Sequence, residues 1–170
     1  MTTRDREKLE IVDVEGNVIG LAERAELHRD PVLIHRVVHV LVFNNHGELL
    51  LQKRSDTKDV APGKWDTSVG GHVSPGEDIL AAARRETDEE LSIKSCEMRY
   101  LYRYLFSNQR ESELVHTYSC VYDGKMDFNR EEIAEVAFWD IGTITHNLGK
   151  DIFSGHFEKE IRRYLGMEKE

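Results

Sequence analysis

GHVSPGEDILAAARRETDEELSI, residues 71–93, is the stretch on which the reading of this chain turns. A glycine turn and a Ser74-Pro75-Gly76 loop lead into a run of alanines and charges. That pattern predicts a helix over roughly 78–91, with Glu77 and Asp78 at its positive end. On such a helix Glu86, Glu89 and Glu90 stand at i, i+3 and i+4 and share one face. Leu80, Ala83, Thr87 and Leu91 form a separate apolar stripe suited to burial. Like charges at this spacing repel, each i,i+4 pair by a few tenths of a kcal/mol. A cation resting on the three carboxylates relieves that repulsion. The ordinary alternative is an exposed acidic helix whose charges only keep it soluble.

The rest of the chain narrows the setting. Its 170 residues suit one domain with a full core, so residues 1–170 read as a single unit. Hydrophobic content of 39% against 32% charged residues is an ordinary soluble balance, and no apolar run is long enough for a membrane span. The polar start MTTRDREKLE lacks the pattern of a secretory leader. Cys96 and Cys120, with no CxxC spacing, read as small buried hydrophobes in a reducing compartment, and the expected location is the cytoplasm. A net charge of −9 argues against a nucleic-acid partner. It also means that an anionic substrate needs a metal ion or a local basic patch.

Outward from the central stretch, residues 1–8 read as a frayed tail. Residues 10–14 and 18–21 flank Glu15-Gly16-Asn17 as an N-terminal β-hairpin. Residues 24–29 read as one or two helical turns or a loop. Residues 35–43 and 48–53 read as a second hairpin around Asn44-Asn45-His46-Gly47. A short strand at 65–69 runs into Gly70-Gly71. Strands follow at 98–106, 114–122 and 133–139, with a loop at 107–113. Residues 140–165 read as helix interrupted near Gly149 and at Ser154-Gly155. Strands, a helix, more strands and a helix do not alternate as in a doubly wound fold. They predict an α+β arrangement, a mixed sheet between helices.

Gly71, Glu77, Arg85-Glu86 and Glu89-Glu90, at these spacings, resemble the signature box of the Nudix hydrolases. Thr87 stands where that box has an aliphatic residue, and Ser92 where it has a helix-ending glycine. The resemblance implies a Nudix-type α/β/α sandwich and hydrolysis of a diphosphate linkage in a small molecule, such as a nucleoside diphosphate or nucleotide derivative. It implies Mg²⁺ as cofactor, with Mn²⁺ as an alternative, held by Glu86, Glu90, Glu89 and the Gly71 carbonyl, with Glu77 in support. Carboxylate oxygens are what Mg²⁺ prefers. Glu89 and Glu86 carry catalysis on this reading, Glu89 as ligand or water-activating base, while Arg85 orients the carboxylates through charge-assisted hydrogen bonds.

The flanks, HRVVHVLVFNNHGELLLQKRS and PGKWDTSVGGHV, resemble the branch that contains isopentenyl-diphosphate isomerases. Those isomerases carry a cysteine just before the box, where this chain has Gly70, and glycine has no side chain to move a proton. The resemblance therefore implies hydrolysis, with an isomerase-like enzyme or a non-catalytic nucleotide-sensing module as rivals. His35 and His72 align with isomerase metal ligands, and Glu111-Ser112-Glu113 has their Glu-x-Glu spacing. Ordinary readings stand beside these, satisfied histidines and solvated loop carboxylates. Arg36, Lys53, Arg54, Lys58, Lys64 and Trp65, upstream of the box, are the candidates for substrate contact. Trp65 or Tyr118 would stack on a base unless buried as core. Glu132 and Glu135 are candidates for a further metal-facing carboxylate. A homodimer is left open.

Overall fold

The computed structural model describes residues 6–58 and 60–167. Among the described residues, nine strands in one mixed sheet carry four helices. The N-terminal hairpin is present as β1 (Lys8–Val12) and β2 (Val18–Glu23), with Gly16 at φ +91° in the turn. Of the stretch read as a frayed tail, Lys8 pairs with Glu23, and residues 1–5 lie outside the described residues. One helical turn, α1 (Arg24–Leu27), follows and buries Leu27.

The long strand β3 (Ile34–Phe43) is the spine of the molecule. It runs parallel to β8 (Ser112–Val121) along its whole length and antiparallel to β6 (Val69–His72). β-Branched residues alternate along it, which suits a strand buried on both faces. Val38, Val40 and Val42 face α2 (Ile79–Leu91) in one cluster with Ala82, Ala83 and Leu91. Leu41 points the opposite way, into a cluster with Phe157 and Ile161 of α4 (Gly155–Tyr164) and Ile144 of α3 (Ile141–Asn147). This gives the expected layering, helices on both faces of a mixed sheet.

The second hairpin differs from expectation. Strand β4 (Leu49–Arg54) meets β3 only at Phe43–Leu49, the residues flanking the turn closed by Gly47 at φ +76°. Beyond that pair the strands part. β4 takes β5 (Trp65–Asp66) and β9 (Ile133–Trp139) as neighbours, while β3 takes β6 and β8. Competing partners on each flank draw the two strands away from one another. The single strand expected at 65–69 is likewise two, with Gly70 and Gly71 inside β6. The hairpin of β7 (Arg99–Ser107) with β8 completes the sheet. The C-terminal helical stretch is broken where Phe153 bridges to Trp65, leaving α3 and α4. Among the described residues no helix is long and apolar enough to cross a membrane, and both cysteines are free.

Candidate functional site

The parting of β3 and β4 opens a cavity of about 550 Å³ walled by β6, α2, α1 and the start of α4. Helix α2 aims its acidic face into it. The Asp78 side chain accepts from the Ala81 N–H at 3.1 Å and starts the helix. Thr87 is fully buried, and its hydroxyl donates to the Ala83 carbonyl at 2.7 Å, so the residue packs where an aliphatic one was expected. Ser92 ends the helix in the left-handed region, φ +56°, and its N–H donates to the Asp88 carbonyl.

Arg85 ties the carboxylates together. It donates to both Glu77 oxygens at 2.8 and 2.9 Å, to Glu86 Oε1 at 2.7 Å, to Glu89 Oε2 at 3.3 Å and to the His72 carbonyl at 3.0 Å. The Glu77 carboxyl lies below its usual range because the Arg85 hydrogen bonds favour its charged form. Glu86 is pushed up by burial, against the pull of Arg85. Glu90 is pushed up to about 8, first by burial and then by repulsion from Glu86. Its Oε2 accepts from Gln52 Nε2 at 3.0 Å and from the Gly70 N–H at 3.4 Å. Two carboxylates that resist ionising, side by side on one cavity wall, form an all-oxygen donor set that fits a hard divalent cation.

The glycine pair lets these groups close in. A β-carbon on Gly71 would stand 2.0 Å from Glu86 Cδ, so the carboxylate occupies the space a side chain would take. One on Gly70 would stand 3.3 Å from the Cδ2 of His39, on the other side of the strand. The imidazole and the carboxylate thus approach opposite faces of a strand stripped to backbone.

A second constellation lies on the same cavity. His28, His35 and His72 form a triangle with ring centroids 5.2 Å apart on each side, and ligand atoms of all three lie within 4.8 Å of one another. His28 Nε2 and His72 Nε2 are 3.2 Å apart. His35 is fully buried, and neither of its ring nitrogens has a hydrogen-bond partner among the described residues. Glu111 Oε2, 3.2 Å from His28 Nδ1, is buried without an aligned donor, and Glu113 Oε1 is 3.8 Å from His35 Nε2. Burial holds all three histidines below the usual range, His28 at about 4, so their lone pairs are available. Glu113 is at about 2: burial opposes its charge, but His156 Nε2 at 3.1 Å and the surrounding imidazoles win. Glu111 and Glu113 are therefore buried, not the solvated loop carboxylates of the ordinary reading. Orphaned nitrogens and an orphaned carboxylate oxygen fit a cation of the kind that imidazole and carboxylate share.

The upstream candidates for substrate contact divide. Arg54 and Lys58 line the cavity, Arg54 bonded to Asp66 at 3.2 Å and Lys58 to Glu132 at 3.1 Å. Arg36, Lys53, Lys64 and Trp65 lie off its wall. Arg36 is paired with Glu10 and Lys64 with Asp151. Trp65 packs edge-on against Trp139, centroids 5.2 Å apart, within the α4-side cluster, and Tyr118 is buried in the α2-side cluster. Glu132 lines the cavity and Glu135 does not. Sequence reasoning missed His28, which it placed in an undistinguished turn. It also missed His39, His156 and Glu160, which no spacing connects to the box. The pattern His-x₃-His at 35 and 39 was the one available signal.

Residues 33–157 match the family described as the NUDIX domain. The chain is 35% identical over 155 residues to an isopentenyl-diphosphate Δ-isomerase of Streptomyces avermitilis, covering 88% of this chain and 79% of the relative. It is 37% identical over 134 residues to an uncharacterised Nudix hydrolase of Pseudomonas aeruginosa, covering 79% of each. A crystal structure from Deinococcus radiodurans superposes with a TM-score of 0.80 at 25% identity, over 92% of this chain and 98% of the other.

Proposed function

The chain belongs to the NUDIX domain family, and from that premise we propose that it is a divalent-cation-dependent hydrolase of the cytoplasm that cleaves the diphosphate linkage of a small molecule, such as a nucleoside diphosphate or nucleotide derivative. The observation that carries this reading is the complete carboxylate array of α2. Glu86 and Glu90 face the cavity with their charged forms disfavoured, and Arg85 holds Glu86 and Glu89 in place. Glu86, Glu90 and the Gly71 carbonyl would hold Mg²⁺ or Mn²⁺, with Glu89 as a further ligand. The cation supplies charge neutralisation and polarisation of a phosphoryl oxygen.

The protein's own groups do the rest. Glu77 has both oxygens on Arg85 and one also on the Ser74 N–H at 2.9 Å, so its part is to fix the guanidinium. Arg85 in turn orients Glu86 and Glu89, a positioning role. Gln52 and the Gly70 N–H aim Glu90. Arg24, Arg54 and Lys58, on the wall of the cavity, give an anionic substrate a landing surface on a chain of net charge −9.

A second reading, an isomerase acting on isopentenyl diphosphate, is favoured by the His28–His35–His72 triangle with Glu111 and Glu113. It is opposed by Gly70, which offers no thiol. One screen separates the two: a panel of nucleoside diphosphates, nucleotide sugars and isopentenyl diphosphate with Mg²⁺, using the unaltered protein, Glu86→Gln and Glu90→Gln. The hydrolase reading expects phosphate-containing products that fall at least 100-fold in either variant. Either variant turning over within threefold of the unaltered protein would remove α2 from the chemistry. Formation of the allylic isomer without hydrolysis would move the assignment to the second reading.

A further inference from the structure

His39 lies on β3 with its side chain on the α4 face of the sheet, directly across the ladder from Gly70. Its Nδ1 is 2.8 Å from Glu160 Oε2. Glu160 is fully buried on α4 and is surrounded by donors. The Tyr102 hydroxyl donates to Oε1 at 2.6 Å, the Tyr104 hydroxyl to Oε2 at 2.8 Å, and the Thr117 hydroxyl lies 3.1–3.2 Å from both oxygens. Burial disfavours charge on Glu160, yet the bonds from His39, Tyr102 and Tyr104 hold it below the usual carboxylate range. An ionised carboxylate can only accept, so the proton of neutral His39 sits on Nδ1. In the neutral ring that tautomer puts the lone pair on Nε2. Nε2 is 3.6 Å from where a β-carbon on Gly70 would be, His39 lines the cavity, and no described residue bonds to Nε2. A buried carboxylate with three hydroxyl partners, all committed to fixing one imidazole, is more than packing requires.

We propose that His39, oriented by Glu160, is the proton acceptor of this site, and that Gly70 is glycine so that the imidazole of the facing strand can reach the reaction space. The proposal rests on the hydrolase reading above and replaces Glu89 in the role of base. Glu89 is 58% exposed at its side chain and shares Arg85, poor placement for receiving a proton from a sequestered water. In the step itself, Nε2 takes one proton from a water in the cavity as the water oxygen attacks phosphorus. The P–O bond to the leaving phosphate breaks with its electron pair on the leaving oxygen. The proton on Nε2 then passes to that oxygen or to solvent. Glu160 takes no proton; it keeps the ring turned and its lone pair outward, the arrangement by which a carboxylate positions a histidine base.

The test uses the full chain, a panel substrate that it hydrolyses, and Mg²⁺. His39→Gln is expected to lower kcat at least 100-fold with KM within threefold. Glu160→Gln, whose amide can donate to Nδ1 and reverse the tautomer, is expected to lower kcat at least 10-fold with melting temperature little changed. Because His39→Gln can disturb a buried site, His39→Ala is assayed with added imidazole, and the proposal expects the rate to recover. Histidine ¹⁵N resonances of the substrate-free protein should show the Nδ1–H tautomer at His39. Full turnover in His39→Gln alongside a dead Glu90→Gln would overturn this inference alone. Full turnover in both would overturn the hydrolase reading with it. An Nε2–H tautomer at His39, or failure of imidazole to rescue a folded His39→Ala, would overturn the inference whatever the substrate.

Discussion

At Gly71 a single added methyl group is enough to dismantle the carboxylate array, because its carbon would sit 2.0 Å from Glu86 Cδ. The backbone there is not in the left-handed region, so the need for glycine is one of space and not of φ. Gly71→Ala is expected to leave the strand in place, push Glu86 off its position, and weaken Mg²⁺ by about 10–100-fold, the usual range for disturbing a group that orients metal ligands. Titration calorimetry with Mg²⁺ on the folded variant checks it; unchanged affinity would mean that Glu86 is not a ligand. Residue-scale features were legible in the sequence where they lie within the box. Arg85 bonds Glu89, as charge and spacing suggested, because helix geometry fixes what i and i+4 can reach, and it meets Glu77 across the turn before the helix. His39 and Glu160 were not legible, since 121 residues separate them and only the tertiary fold brings them together.

At the scale of the element, α2 carries a local defect at its end. Ser92 adopts φ +56°, a conformation that disfavours residues with a β-carbon, where glycine is at no disadvantage. Ser92→Gly should therefore stabilise the protein by about 0.5–1 kcal/mol. For a chain of this size that is a rise in melting temperature of ~1–4 °C, with turnover unchanged. Scanning calorimetry checks it. The element boundaries read from hydrophobic periodicity were good for β3, β8, β9 and α2, whose patterns are long. They were poor for the β3–β4 hairpin. Turn chemistry at Asn44–Gly47 correctly marks a reversal, but it says nothing about whether the strands stay together afterwards. Here they separate to take other neighbours, and the cavity exists because they do.

At the scale of the molecule, the acidic site sets how stability responds to pH. Glu90 has its folded value raised from 4.5 to about 8, so in the metal-free protein the folded state holds a proton that the unfolded state has released. The stability this contributes is fully present below about pH 4.5 and is lost as pH rises through about 8. Metal-free protein should melt at a progressively lower temperature from pH 5 to 8, and Glu90→Gln should flatten that slope. Mg²⁺ should raise the melting temperature most at the upper end, where the carboxylates are free to bind it. Melting curves at pH 5, 6.5 and 8, with and without Mg²⁺, read this directly. A flat profile in the metal-free protein would contradict the placement of Glu90. Net charge and composition indicated the puzzle of an acidic chain with an anionic substrate. On the proposed reading a divalent cation and the basic residues Arg24, Arg54 and Lys58 on the cavity wall answer it together, and linear order does not display that these three line one cavity.

Hydrolysis of the best panel compound in ¹⁸O-labelled water, followed by ³¹P spectroscopy and mass analysis of the products, tests the central claim most directly. The account predicts one ¹⁸O atom on a phosphorus-containing product, only with Mg²⁺ or Mn²⁺ present, and its loss in Glu90→Gln. Label absent from phosphorus, or incorporated at the same rate without a divalent cation, would contradict it.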